Sequence, residues 1–474
     1  MTLTDIPSLS CFANKAENTF PIEVLTESNF PAWLEKQPKH VKAYIKRQEI
    51  KGKAKECFNL YSRDMAPEKV VYIRRDGVTS PYDFAAVFDY IVKNIPASVL
   101  KDAVFSIEDE HYIHDDAALG WGLASYRFDK FKSRKAPATP KLVWQEGVDK
   151  KRVKAILEGI YLARNLINMP PNELGPDQMI AAAKAVAEQH DIKAKVVQGD
   201  ALLQKNFPLV HAVGKAGAQD PAIIEMKWGN PDHPKIAIVG KGVTYDTGGY
   251  NLKPGASMRN MKKDMGGAAH ALGLAHIIMS LKLPVQLHVV TPVVQNNISD
   301  EAMVPGDIYP SRKGLTVEID NTDAEGRLIL ADALTLACEG KPDLLIDFAT
   351  LTGAARVALG TEVPPVFSND DDVATKLQNI SWQVEDPLWR LPLVPAYRKD
   401  VDGGQSDIVN SSSNLAGAIM AALFLERFIE DGVKWAHIDT FAWQNGDRPG
   451  RQKGGSDLGL RSTLAFIEQE YAKK

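Results

Sequence analysis

Leu315-Thr316-Val317-Glu318-Ile319-Asp320-Asn321-Thr322-Asp323-Ala324-Glu325-Gly326-Arg327-Leu328 is the stretch on which the reading of the chain turns. Leu315 to Asp320 alternates between apolar and polar residues, the period of a half-buried strand. The run from Leu328 to Ala337 reads as a buried helix. Asp323 and Glu325 are two apart, so in an extended segment they point the same way. Arg327 continues that series if the chain stays extended until the helix begins. Two carboxylates and a guanidinium then emerge at the end of a strand, where open α/β sheets place their sites. A plainer reading is a polar turn with Asp323 as helix N-cap, because Asp is a preferred cap.

The upstream sequence favours the first reading. A strand Lys235–Val239 runs into Gly240-Lys241-Gly242, then Asp246-Thr247-Gly248-Gly249, Lys253-Pro254-Gly255 and Met261-Lys262-Lys263-Asp264-Met265-Gly266-Gly267, which opens an alanine-rich helix. Glycines let the backbone turn sharply and approach a ligand closely. Gly240 and Gly242 alone are weak signs of a nucleotide loop, since the third glycine and the P-loop spacing are missing. Lys241, Asp246, Lys253 and Asp264 taken singly read as surface charges. Together they put two carboxylates and two amines beside glycine-rich turns.

Further out, strands are expected at 194–198, 223–228, 235–239, 285–290, 315–319, 344–348 and 435–438. Helices are expected at 176–190, 263–280, 328–338, 414–429 and 462–471. Such alternation predicts an α/β fold, a sheet covered by helices on both faces. The helix 150–168 carries Val153, Ile156, Leu157, Ile160, Leu162 and Leu166 on one side and stops before Pro170 and Pro171. It is taken as a connector between an N-terminal domain, 1–149, and a catalytic domain, 169–474. In the N-terminal domain Val70–Ile73 reads as a strand and Asp83–Ile95 as a helix. The acidic stretch Glu108–Asp116, with His111 and His114, reads as solvated surface because its spacing is loose for a metal site. Lys130–Lys141 reads as a linker.

With 474 residues, 45% hydrophobic and 24% charged, the chain has the composition of a globular protein large enough for two or three domains. Its formal net charge of −4 gives no reason to expect broad binding to nucleic acid or to an anionic membrane. No apolar run is long enough to span a bilayer. The start has neither a basic n-region nor an apolar h-region, so no signal peptide is expected. Cys11, Cys57 and Cys338 form an odd, sparse set, which suggests a reducing compartment.

Asn321 to Leu328 resembles the N-T-D-A-E-G-R-L signature of the leucyl aminopeptidases, the cytosolic two-metal peptidases of the M17 type. The family's second block matches at Lys241, Asp246, Lys253 and Met261–Met265, and Asp343–Ala355 looks like its next strand and substrate loop. The resemblance covers about residues 165–474. It implies a mixed, mainly parallel sheet flanked by helices, with a smaller N-terminal α/β domain. It also implies that Asp246 and Glu325 bridge two divalent metals, with Asp323 completing one site and Asp264 and Lys241 the other. Two such metals, about 3.5–4 Å apart, can share a water and make it a nucleophile at neutral pH. Lys241 can ligate only as a neutral amine, which nearby dications favour. Oxygen donors with one amine suit Zn²⁺, Mn²⁺ or Mg²⁺ without choosing among them.

Carried over residue by residue, Lys253 and Arg327 match the catalytic pair. Lys253 would stabilise the oxyanion and Arg327 would hold a bicarbonate that acts as base. Lys253, Met261, Asn321, Thr350 and Leu351 are placed around the substrate, although Met261 and Leu351 read equally as core. The expected activity is hydrolysis of the N-terminal residue, leucine-like by preference, from peptides with a free α-amino group. A cytoplasmic homohexamer is expected from the resemblance alone. A two-metal phosphoesterase fits less well with a lysine ligand and a Lys–Arg pair. A DNA-binding second role would need a basic patch on the N-terminal domain; Lys36–Lys55 is moderately basic and reads as a solvated helix face. Two segments depart from the family pattern. If Asp402–Asn414 and Asp447–Gly459 rim the pocket, the preference for leucine is in doubt.

Overall fold

The structure is a computed structural model that describes residues 9–62, 66–77, 79–108, 114–133, 139–411 and 415–472. Of the expected features, His111 and part of the Lys130–Lys141 linker lie outside the described residues. The chain divides into two compact units. One runs to Leu157 and includes Gly446–Lys453; the other holds Glu158–Asn445 and the chain from Gly454 onward.

The N-terminal unit is built on a six-stranded sheet in the order Phe12–Ala13, Lys141–Val143, Val104–Glu108, Phe20–Thr26, Pro67–Arg74, Cys57–Tyr61. Only the last pairing is antiparallel. Val70 and Tyr72 pack on one face with Phe84, Phe88, Ile91 and Trp121. Val71 and Ile73 pack on the other with Phe30, Val41 and Ile45. Burial on both faces is why this strand reads as an unbroken apolar run rather than an alternating one. The helix Lys39–Arg47 buries Val41 and Ile45 and exposes Lys39, Lys42, Lys46 and Arg47, so its basic residues form a solvated face.

In the second unit eight strands run in the order Trp389–Arg390, Pro365–Ser368, Trp435–Asp439, Leu344–Ala349, Lys235–Gly240, Gln286–Asn296, Ala222–Trp228, Ala194–Gln198. The four central strands are mutually parallel. Gln286–Asn296 pairs with Lys235–Gly240 along its first half and with Gly242–Asp246 along its second. Ala237, Val239, Leu345 and Ala349 face the helix Gly326–Glu339. Phe348, of opposite parity, stacks on His270 of the helix Gly266–Leu281. A Cβ on Gly267 would lie 2.0 Å from the Phe348 carbonyl oxygen, and one on Gly240 would lie 2.5 Å from that of Gly267. Glycine at both positions lets the helix start press directly on the strand ends.

One expectation needs correcting. The strand before the signature shrinks to Thr316–Glu318 and belongs to a separate three-stranded sheet with Ile308–Pro310 and Ile408–Val409, not to the central one. The chain then turns instead of running extended. Asn410 Oδ1 accepts the N–H groups of both Asp320 and Asn321, and Asn321 Oδ1 accepts that of Asp323. Asp323 is therefore not the helix cap, because Glu325 stands at that position and makes no side-chain cap. Arg327 lies in the first helical turn and continues no extended series.

At the end of the helix Pro176–Gln189, His190 Nε2 lies 3.1 Å from His276 Nδ1, and His276 Nε2 lies 3.6 Å from Glu158 Oε2. Burial first, and His276 second, push His190 down to about 4. A group whose folded pKa is depressed below its unfolded value of about 6.5 binds fewer protons folded than unfolded in that window. Stability should therefore be full above pH 6.5 and fall as pH drops towards 4. Thermal midpoints of wild type and His190→Gln across pH 4–8 check this: the variant's curve should be flatter in that interval.

Candidate metal centre

Lys241 follows its strand with both backbone groups engaged. Its N–H donates to the Phe348 carbonyl at 3.0 Å, and its carbonyl accepts the Ala268 N–H at 2.8 Å. The side chain is 3% exposed. Its Nζ lies 2.7 Å from Asp264 Oδ2 and 3.1 Å from Glu325 Oε1, and donates to the Thr350 carbonyl at 3.0 Å. A Cβ at residue 326 would meet Lys241 Cε at 2.3 Å, so the glycine after Glu325 makes room for the lysine stem.

Asp246 ends the strand Gly242–Asp246. Its Oδ1 accepts the Gly248 N–H and Asn296 Nδ2, each at 2.8 Å, and its Oδ2 lies 2.8 Å from Lys253 Nζ. Lys253 also pairs with Asp323. Asp246, Asp323 and Glu325 each bring one oxygen to within 4.8 Å of the others. Asp264 follows the single turn Met261–Lys263, and its Oδ1 accepts Thr350 Oγ1 at 2.7 Å.

Four carboxylates thus face two amines. Burial, reinforced by Asp264, raises the Asp246 carboxyl to about 6. Burial and Asp246 push Glu325 well above the usual carboxylate range. Burial opposes the charge on Lys241, but Asp264, Glu325 and Asp246 more than offset it and hold the ammonium form. Apart from their ion-pair contacts with Lys241, Asp264 Oδ2 and Glu325 Oε1 have no partner among the described residues, so each keeps lone pairs to spare in a buried site. Carboxylates crowded beyond what two amines neutralise, with inward lone pairs free, are a donor set that fits divalent cations.

Arg327 Nη1 donates to the Asn410 carbonyl at 2.7 Å, and the guanidinium lies 5.9 Å from the Phe424 ring. Among the described residues its Nε has no partner. Arg327, Met261, Thr350 and Leu351 line the same cleft as the carboxylates and the two amines. The cleft encloses about 670 Å³ with its open mouth included. Asn321 is not among the lining residues; its side chain holds the turn instead. No described residue of Asp402–Asn414 or Asp447–Gly459 lines the cleft.

Sequence reasoning passed over several residues. Asn296 Nδ2 donates to both Asp246 Oδ1 and the Thr322 carbonyl. Asp439 accepts the N–H groups of Leu351 and Thr352 and the Thr352 hydroxyl. Both stand at the C-terminal end of a strand, a signal that was available. Lys263, Arg356 and Phe441 also line the cleft. Burial lowers Lys263 to about 8; nothing in its local sequence separates it from the neighbouring Lys262. Replacing Asn296 by Ala leaves a buried carbonyl and a carboxylate oxygen each one donor short. That should cost about 1–3 kcal/mol per unsatisfied group, read as a drop of several degrees in the unfolding midpoint.

Comparison with known proteins bears on the same residues. Residues 161–464 match the profile of the cytosol aminopeptidase family catalytic domain, and 20–144 that of the M17 aminopeptidase N-terminal domain. A probable cytosol aminopeptidase of Chlamydia abortus is 44% identical over 332 residues, 68% of this chain and 66% of that protein. One from Syntrophotalea carbinolica is 40% identical over 73% of each. The chain thus spans about two thirds of the length of the first of these relatives. The crystal structure of the cytosol aminopeptidase from Coxiella burnetii superposes with a TM-score of 0.89 at 40% identity, over 97% of this chain and 99% of that one. The bottromycin maturation enzyme BotP, in complex with Mn, superposes with a TM-score of 0.83 at 28% identity, over 95% and 99%. Matched by its profiles in both domains and by its fold along nearly the whole length, the chain belongs to the M17 cytosol aminopeptidase family.

Proposed function

We propose that the chain is a metal-dependent aminopeptidase that removes the first residue from peptides with a free α-amino group. The observation that carries this reading is the convergence of Asp246, Asp264, Asp323 and Glu325 on Lys241 and Lys253 in one cleft. The five residues Lys241, Asp246, Asp264, Asp323 and Glu325 would hold two divalent cations, Zn²⁺, Mn²⁺ or Mg²⁺, with Lys241 a donor once neutral. Two such cations supply Lewis acidity and a water-derived nucleophile at neutral pH.

The chain's own residues do the rest. Lys253, tethered by Asp246 and Asp323, points its ammonium into the cleft and donates to the oxyanion that develops on the scissile carbonyl. Arg327 is positioned by the Asn410 carbonyl through one Nη, which leaves Nε and the other Nη to hold a bicarbonate as proton acceptor. Met261, Leu351 and Thr350 contact the substrate, and the apolar pair supports acceptance of a leucine-like side chain. Asn321 acts one step back, by holding the turn that carries Asp323. Family membership adds a cytoplasmic homohexamer to the reading.

Metal dependence is tested directly. Exhaustive chelation should abolish hydrolysis of leucine α-amide, and Zn²⁺ or Mn²⁺ should restore it. Full activity in protein shown by elemental analysis to be metal-free would remove the proposal. The free amine is tested separately. The resemblance assigns the substrate's α-amino group to the side of Asp264 and Lys241, where it can bind only through its lone pair. Leu-Gly should therefore be cleaved and N-acetyl-Leu-Gly should not. Comparable kcat/KM for the two would mean an endopeptidase or another amidase.

A further inference from the structure

The cleft has a cationic wall for which the proposed chemistry has no use. Lys263 is 5% exposed and lines the cleft, with its ammonium 4.8 Å from the centre of the Phe441 ring. Arg356, on the helix Gly353–Leu359, lines it too and sets its guanidinium 4.7 Å from the same ring. Two like charges thus share one aromatic ring, whose quadrupole holds both. Among the described residues neither has an ion-pair or hydrogen-bond partner. The carboxylates nearest to Lys263 are engaged elsewhere: Asp264 by Lys241 and Thr350, Asp439 by Leu351 and Thr352. Residue 353 has no side chain; a Cβ there would lie 3.3 Å from Arg356 Nη2, so glycine keeps the approach to the guanidinium open. A lysine is rarely buried without a counter-charge, and the guanidinium on the same ring presents the fork that suits a carboxylate.

We propose that this wall receives the side-chain carboxylate of an acidic first residue, so that glutamyl and aspartyl peptides are substrates alongside leucine-like ones. The inference rests on the aminopeptidase reading above. A glutamate side chain supplies the anion that Lys263 and Arg356 lack. Glutamine, of the same shape, leaves both cations unpaired, and discrimination by an unsatisfied polar site is steep. The carboxyl terminus of a short peptide offers the same chemistry from another source, so the test must separate the two.

The experiment measures kcat/KM of the metal-loaded full chain for the α-amides of glutamate, glutamine and leucine, and for Leu-Leu against Leu-Leu-amide. The same set is run on Arg356→Gln, an exposed change that leaves the fold alone, and on Lys263→Met. Wild type should favour the glutamate amide over the glutamine amide by about tenfold or more, and the ratio should fall towards one in each variant. Glutamate no better than glutamine in wild type, with the leucine amide cleaved, overturns the inference and leaves the aminopeptidase reading standing. So does a ratio that both variants preserve. A preference for Leu-Leu over Leu-Leu-amide that vanishes in the variants also overturns it, because the wall then serves the peptide's carboxyl terminus. No cleavage of any of these substrates removes the aminopeptidase reading and this inference with it.

Discussion

The ammonium of Lys241 sits where four distant segments meet. Around it are the end of its own strand, Asp264, Glu325 and the Thr350 carbonyl. Carboxylates this close together repel strongly once water is removed. They stay together only because positive charge lies between them, from Lys241 and Lys253 and, in the proposed working state, from divalent cations. The demand shapes the backbone as well. Gly240, Gly267 and Gly326 are positions where a Cβ would strike a carbonyl or the lysine stem itself. The glycines therefore serve the charge cluster by letting a helix start, a strand end and a turn close on one buried side chain.

A second layer of neutral groups holds the carboxylates in place. Thr322 Oγ1 donates to the Gly248 carbonyl and accepts the Asn251 N–H, while Asn251 Oδ1 accepts the Thr322 N–H. Asn296 links that turn to Asp246, and Asn410 ties it to the loop that positions Arg327. These bonds replace the ladder that an extended segment would have provided, and they explain how a polar turn survives at low exposure. Buried polar networks stabilise only when their members are satisfied. The atoms with least hydrogen bonding here, Asp264 Oδ2 and Glu325 Oε1, each held only by Lys241, and Arg327 Nε, gather where ligands are proposed to bind.

The scaffold puts this layer at one end of the sheet. Lys241, Asp246, Asn296, Thr350 and Asp439 stand at, or one residue beyond, the C-terminal ends of their strands, as parallel α/β sheets favour. The core beneath is mostly apolar on both faces, and the Asp347 carboxylate buried within it accepts from His437 and Trp435.

Much of this was legible in the linear chain. The helices 150–168 and 176–189 carried their period in their apolar residues, and the buried strands near 235–239 and 344–348 stood out as runs of Ile, Val and Leu. The charged residues between glycines marked the cluster, because such spacing has no purpose in a surface loop. The sequence could not show that Thr316–Glu318 leaves the central sheet, or that Asp323 and Glu325 converge through a turn and not along a strand. Both depend on Asn410, some ninety residues away, whose side chain takes the backbone donors of Asp320 and Asn321. Nor could local pattern separate Lys263 from Lys262, or give Arg356 a place in the cleft. Local order follows from residue periodicity, which the chain carries along its length. The direction in which a buried charge points is decided by partners that only folding brings within reach.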